Sequence, residues 1–180
     1  MKKIHVKDKD FVRFIPEKKI QREVTRIANQ INQDMENKLP LFLVILNGAF
    51  IFAADLFRQI TVDCQVTFVK LSSYSGTGST SSVKKLIGLG EVVKGRTIVI
   101  VEDIVDTGIT MDYLIEMLKE MEAADIRIAA MFFKPEAFTK DFRIDYKGLD
   151  IPADFVVGYG LDYDGFGRNH RELYQVVKEG

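Results

Sequence analysis

The sequence predicts an α/β domain: a central parallel sheet with helices on both faces, and a small hood subdomain over one end. Three observations lead there. Short apolar runs at 41–45, 98–101 and 126–133 alternate with segments of helical periodicity, which is the pattern of a parallel sheet covered on both sides. The second run ends in carboxylates, Glu102, Asp103 and Asp106, ahead of Thr107, Gly108 and Thr110. Beyond Ile144 the composition shifts to glycines among aromatics and acids, a tail too short for a second domain. A single domain of 180 residues is expected, with a core over about 17–133 and a hood from about 1–16 and 134–180.

Composition narrows the function classes. With 25 basic and 26 acidic residues the net charge is −1, so no global field draws the chain to nucleic acid or a membrane surface, and any anion must be held by local groups. Cys64 is the only cysteine, which excludes an internal disulfide and a cysteine zinc site, and an apolar strand makes it a buried hydrophobe. The N-terminus is basic but lacks an apolar run after it, so it is not a signal peptide. No segment approaches the ~20 apolar residues of a membrane helix. A reducing, cytoplasmic setting follows.

The elements come in order. Ile20, Val24, Ile27, Ala28, Ile31 and Met35 recur at spacings of three and four, one face of a helix over 17–35 that Pro40 stops. Residues 41–45 form a short buried strand, then Leu46, Asn47, Gly48 and Ala49 turn into a second apolar helix over 50–60. Gly48 there permits close approach of backbone to a ligand. Residues 64–71 read as a strand. Residues 72–82, with six serines and no aliphatic side chain, cannot bury themselves and read as a mobile loop of the kind that covers active sites. Val83–Ile87 resumes a strand. Four β-branched residues at 98–101 suit a buried central strand. Met111, Leu114, Ile115, Leu118 and Met121 form a helical stripe, and 126–133 is another buried strand ending at Lys134. Residues 173–177 close the chain as one more strand.

The chemistry concentrates at 98–110. Acids at the carboxyl end of a central strand, followed by a hydroxyl-and-glycine turn at a helix N-terminus, occupy the place where open α/β sheets bind ligands, and such a turn favours phosphate. Extended Glu102 and Asp103 point in different directions. They therefore make a poor shared-proton pair, better suited to the vicinal hydroxyls of a sugar or to Mg²⁺. Asp106 beside the turn is a candidate base, because His5 and His170 are the only histidines and His5 lies in a charged terminus. Acids beside a phosphate cradle repel the ligand unless a divalent cation intervenes, and Mg²⁺ matches carboxylates plus phosphates. Lys134, taken alone, reads equally well as a snorkelling surface lysine. Asp162 and Arg168 are weak signals by themselves.

With these residues assembled, the chain resembles the purine phosphoribosyltransferases, in particular the hypoxanthine-guanine branch. The stretch Val-Glu-Asp-Ile-Val-Asp-Thr-Gly-Ile-Thr at 101–110 is similar to that family's phosphoribosyl-diphosphate signature, and Phe-Val-Val-Gly-Tyr-Gly-Leu-Asp-Tyr at 155–163 to its purine-site segment. The resemblance runs in order from about residue 41 to the C-terminus. It implies the type I phosphoribosyltransferase fold and a purine-salvage enzyme. The reaction would be Mg²⁺-dependent transfer of 5-phosphoribosyl from phosphoribosyl pyrophosphate to N9 of hypoxanthine or guanine, giving IMP or GMP and pyrophosphate.

The same resemblance assigns roles. Glu102 and Asp103 would hold the ribose hydroxyls and contact the metal, with Asp162 as a further metal ligand. Asp106 would take the proton from the purine N7 region. Thr107, Gly108, Ile109 and Thr110 would bind the 5′-phosphate. Lys134 would donate to the 6-oxo group, Phe155 would stack on the purine and Val156 would offer backbone hydrogen bonds. Arg168 would contact pyrophosphate. Asn47 and Gly48 would form a second anion loop, where the family tends to have a cis peptide, and Ser73 and Tyr74 would begin the lid. Two departures remove positive charge: Ile109 and Asn47 stand where relatives often carry basic residues, which leaves more of the binding to backbone N–H groups, Mg²⁺ and Arg168.

Rival readings are a xanthine-preferring transferase, a non-catalytic RNA-binding regulator on the same fold, and a phosphoacceptor domain using Asp103 or Asp106. The regulator should carry a basic stripe, and no Lys/Arg cluster is present. The phosphoacceptor leaves Lys134, the serine-rich loop and the 155–162 segment without a use. Apolar helix faces suggest a homodimer or homotetramer.

Overall fold

The computed structural model describes residues 2–73, 83–87, 89 and 92–177, with backbone alone for 72, 73 and 83–87. Its elements are β1 (Lys3–Val6), β2 (Lys9–Ile15), α1 (Glu17–Asp34), β3 (Leu41–Leu46), α2 (Phe50–Phe57), β4 (Gln65–Ser73) and β5 (Val83–Ile87). Then follow β6 (Thr97–Val105), α3 (Ile109–Glu120), β7 (Asp125–Phe133), β8 (Tyr146–Asp150), β9 (Val156–Val157) and β10 (Leu173–Val176). The large sheet runs β5-β4-β3-β6-β7-β8. Its five strands β4, β3, β6, β7 and β8 are parallel, and β5 joins β4 antiparallel.

Alternation along the strands sorts the core into two layers. Phe42, Val44, Val99, Val101, Ala129 and Met131 face α1 and α2, meeting Ile20, Val24, Ile27, Phe52 and Leu56. Leu41, Leu43, Ile98, Ile100, Ile128 and Ala130 face α3 through Met111, Leu114, Ile115 and Leu118. Helices thus cover both faces, which is why β3 and the 98–101 part of β6 are apolar at every position. A fully buried Phe52 is the kind of side chain whose truncation to alanine costs about 3–5 kcal/mol.

The second sheet, in the order β1-β2-β10-β9, is antiparallel and joins the N-terminal hairpin to the C-terminal segment. Its own apolar cluster is small: Val6, Phe11, Val157 and Tyr174. It is the hood. Within the stretch expected to follow Lys134 into the hood, β8 pairs instead with β7 in the large sheet.

Several boundaries differ from expectation. The acids were expected just past the end of the 98–101 run, but β6 continues to Val105 because β7 runs beside it as far as Phe133. Glu102 and Asp103 therefore lie inside the strand, Glu102 opposite Ala130. α1 ends at Asp34, before Pro40, with Asn37 in the left-handed region (φ 61°). α2 ends at Phe57. Cys64 is exposed rather than buried, since β4 begins only at Gln65 and the cysteine stays in the connection from α2. The hairpin β1–β2 was not foreseen. It alternates Ile4, Val6, Phe11 and Ile15 around a Lys7-Asp8 turn that carries no glycine or asparagine to mark it.

Candidate functional site

The register of β6 against β7 builds the first half of the site. Val105 pairs with Phe133, and the Lys134 N–H donates to the Val105 carbonyl at 3.0 Å. The next residues on the two strands, Asp106 and Lys134, are thereby brought side by side. Lys134 Nζ donates to Asp106 Oδ2 at 3.0 Å. The lysine is 7% exposed, so it is not the snorkelling surface residue that its position alone allowed, and the half-exposed Asp106 carboxylate supplies its counter-charge.

The turn between β6 and α3 follows. Gly108 is left-handed (φ 83°) and precedes Ile109, the first residue of α3. A side chain at Gly108 would strike Phe138, with its Cβ only 2.6 Å from the ring. Thr139 closes behind the turn, its backbone N–H and its hydroxyl both donating to the Thr107 carbonyl at 3.2 Å. Thr107, Ile109 and Thr110 stay exposed around a concave space of about 110 Å³ lined also by Glu102, Asp106 and Gly108. The first-turn N–H groups of a helix have no intrahelical partners, so this hollow suits an anion.

Glu102 and Asp103 were expected to diverge, and they do not. The Asp103 N–H donates to Glu102 Oε1 at 3.2 Å, while Asp103 Oδ1 accepts from the Ile104 N–H at 2.8 Å. Burial pushes the Glu102 carboxyl well above the usual carboxylate range, and the Asp103 charge and a hydrogen bond to its carboxyl push it further. Glutamate is long enough to curl back over its own peptide toward its neighbour, which simple strand alternation overlooks.

Asp103 also reaches across the sheet. An ideal Cβ on Gly48 would lie 1.6 Å from Asp103 Oδ2, so only glycine fits beside this carboxylate. The peptide Leu46–Asn47 is cis, as the resemblance led us to expect for this turn. The carbonyl of Gly48 in turn lies where a Cβ on Gly160 would sit, 2.1 Å away. Gly160 (φ 97°) accepts from Arg168 Nη1 at 2.6 Å, and Arg168 Nη2 lies 2.6 Å from Asp162 Oδ1. Asp162 Oδ2 accepts from the Gly165 N–H at 2.6 Å. One contact chain thus runs from Glu102 and Asp103 through Gly48 and Gly160 to Arg168 and Asp162.

Phe155 is half exposed, its ring flanked by Phe11 at 6.3 Å and Tyr163 at 5.7 Å. The Phe155 carbonyl accepts from Val176, and Val156 pairs with Gln175. β9 is the last strand of its sheet, so the far edge of Val156 is open among the described residues. Ser73 ends β4 opposite Val83, whereas Tyr74 and the rest of the expected lid lie outside the described residues. Among the described residues no three His, Cys, Asp or Glu side chains converge, so Glu102, Asp103 and Asp162 do not form one ready-made cage. Sequence alone assigned no role to Phe11 and Phe138. Their only signal was aromatic enrichment flanking the motifs.

Comparison with known proteins bears on this arrangement. Residues 16–164 match the phosphoribosyl transferase domain family. A hypoxanthine-guanine phosphoribosyltransferase of Bacillus subtilis is 37% identical over 157 residues, 87% of each chain. One from Lactococcus lactis is 40% identical over 164 residues, 91% of this chain and 87% of the relative. Among solved structures, a hypoxanthine phosphoribosyltransferase from Staphylococcus aureus superposes with a TM-score of 0.84 at 30% identity, covering 92% of this chain and 91% of the other. A hypoxanthine-guanine phosphoribosyltransferase from Bacillus anthracis gives 0.82 at 32% identity, covering 93% and 97%. A central parallel sheet with a hood, the acid-and-threonine turn and this similarity over most of the chain agree: the protein belongs to the phosphoribosyl transferase domain family, in its hypoxanthine-guanine branch.

Proposed function

We propose that this protein transfers a 5-phosphoribosyl group from phosphoribosyl pyrophosphate to N9 of hypoxanthine or guanine, in purine salvage. The observation that carries the reading is the Lys134–Asp106 pair beside the 107–110 cradle, which sets an ammonium donor and a carboxylate next to a phosphate-sized hollow. Lys134 has donors and no acceptor, so it favours the oxo group of a 6-oxopurine over the amino group of adenine. Asp106 then takes the proton that the purine releases near N7 as its N9 attacks the anomeric carbon. Thr107, Gly108, Ile109 and Thr110 receive the 5′-phosphate, Arg168 with the Asn47–Gly48 turn receives pyrophosphate, and Phe155 stacks on the base with Val156 at its edge.

As pyrophosphate leaves, positive charge develops on the ribose, much as in glycoside hydrolysis. Glu102 and Asp103 are placed to hold the ribose hydroxyls and to stabilise that charge. The pair also fits Mg²⁺: two carboxyls in contact, one with raised proton affinity, are what a divalent cation relieves, and Mg²⁺ takes one or two carboxylates with substrate phosphates rather than a protein cage. Asp162 fits as a further ligand by exchanging its bond to Arg168 or Gly165. When bound, the ion supplies charge neutralisation between these acids and the donor's phosphates. Ile109 and Asn47 bring no positive charge, so Arg168 and backbone N–H groups carry the protein's share of anion binding.

No described helix is long and apolar enough to cross a membrane, and a cytoplasmic site of action fits the lone unpaired cysteine. Self-association as a homodimer or homotetramer is supported by exposed Phe50, Val66 and Phe68. The test is a spectrophotometric assay with phosphoribosyl pyrophosphate, Mg²⁺ and each of hypoxanthine, guanine, xanthine and adenine. Turnover of the first two with none of adenine is expected. No turnover of any oxopurine overturns the proposal, and a strong preference for xanthine reassigns the substrate.

A further inference from the structure

Tyr159 sits inside the segment proposed to bind the purine, yet it faces inward. It is 2% exposed, with its ring edge-on to Phe132 at 6.4 Å. Its backbone is left-handed (φ 49°) between two left-handed glycines, Gly158 and Gly160, and its N–H donates to the His170 carbonyl at 2.7 Å. A tyrosine holds such a conformation only where its surroundings enforce it.

The enforcing contact is polar. Tyr159 OH donates to Asp55 Oδ2 at 2.9 Å, and the same oxygen accepts from Gln21 Nε2 at 2.6 Å. Burial, and then the Asp55 charge, push the Tyr159 hydroxyl far up, so it stays a donor at any working pH. Asp55 belongs to α2, the helix that the Asn47–Gly48 turn leads into. The next residue, Gly160, lies against the Gly48 carbonyl, and Gly48 against Asp103. Two successive residues of the 155–162 segment are therefore pinned, one to α2 and one to the turn before it.

We propose that Tyr159 and Asp55 are positioning residues for the purine half of the site: their hydrogen bond holds residues 155–162 in place against the Gly48 turn, so that the purine and donor halves keep one fixed spacing. The inference rests on the transferase reading above. Neither residue touches substrate. Their effect passes through the backbone of Val156 and the ring of Phe155.

Steady-state kinetics with hypoxanthine, run beside thermal unfolding, test it on Tyr159→Phe, Asp55→Asn and the double variant. Losing one hydrogen bond to a charged group predicts that Tyr159→Phe raises the hypoxanthine KM about tenfold with kcat changed by about twofold or less. Asp55→Asn keeps an acceptor for the hydroxyl and stays near the wild-type KM, and the double variant matches Tyr159→Phe alone. A purely structural role would lower the melting temperature and the active fraction, reducing kcat at constant KM, and that result overturns the inference. So does a Tyr159→Phe enzyme with wild-type KM. A wild-type protein that transfers no phosphoribosyl group instead defeats the reading beneath it.

Discussion

The Lys134 ammonium and the Asp106 carboxylate, 28 positions apart in sequence, meet at 3.0 Å because β6 and β7 end in register. The lysine is buried and the carboxylate half exposed, so the pair is anchored from the lysine side. If Lys134 reads the purine oxo group, Lys134→Ala raises the oxopurine KM by about 10- to 100-fold, the scale of a hydrogen bond from a charged donor. The KM for phosphoribosyl pyrophosphate should change far less. Separate titration of the two substrates checks this, and equal losses for both would remove Lys134 from the base site.

Asp106 carries the proton transfer in the proposed reaction. General-base help is worth roughly 10²–10⁴-fold, so Asp106→Asn should lose rate on that scale while the donor still binds. Asparagine keeps an acceptor for Lys134, so the buried lysine is not stranded. Rapid-mix single-turnover measurements separate chemistry from product release. Unchanged turnover would show that the base lies elsewhere.

Gly48 has no room for any side chain. A methyl group there overlaps Asp103 Oδ2, and the carboxylate or the turn must move by an ångström or more. Displacement of that size at a reacting centre costs about 10²-fold, so Gly48→Ala should lose at least that much in kcat/KM. Melting temperature measured alongside distinguishes a displaced site from an unfolded one.

Glu172 ties the chain's two ends into the hood. Its carboxylate meets Lys2 at 2.7 Å and Arg13 at 3.2 Å, and accepts from Tyr174 OH at 2.6 Å. The Lys2 contact first, then Tyr174, pull its pKa down from 4.5 to about 2. A depressed carboxylate stabilises the fold fully above its unfolded value, near pH 4.5, and that contribution fades as pH falls toward 2. Glu172→Gln should therefore lower the melting temperature at pH 7 by about 2–4 °C, the shift for roughly 1 kcal/mol in a chain of this size. The difference should close near pH 2. High salt should shrink it at pH 7, since Lys2 is largely exposed.

Much of this protein is local in origin and so was legible in its sequence. The α1 stripe from Ile20 to Ile31, the apolar runs of β3, β6 and β7, and the glycine-punctuated turn at 107–110 arise from periodicity and backbone preference within a few residues. Those features determine the class of fold and mark one end of the sheet as the candidate site. The β1–β2 hairpin escaped because its Lys7-Asp8 turn carries no glycine or asparagine, and β8 because it is short and edge-placed. β8 also carries Gly148, whose missing side chain lets the strand lie against the Met131 carbonyl.

What only the tertiary structure decided is which distant residues share a space. Strand spacing says nothing of register, yet register is what sets Lys134 beside Asp106. Composition makes Gly48 and Gly160 ordinary turn residues, yet chain packing presses each against a neighbour that tolerates no Cβ. Asp55 is a single acid in a helix read as apolar, and only the folded chain brings Tyr159 to it. Local propensity acts over a turn of helix or a pair of strand residues, while these contacts depend on sheet order and on how the C-terminal segment folds back over the sheet.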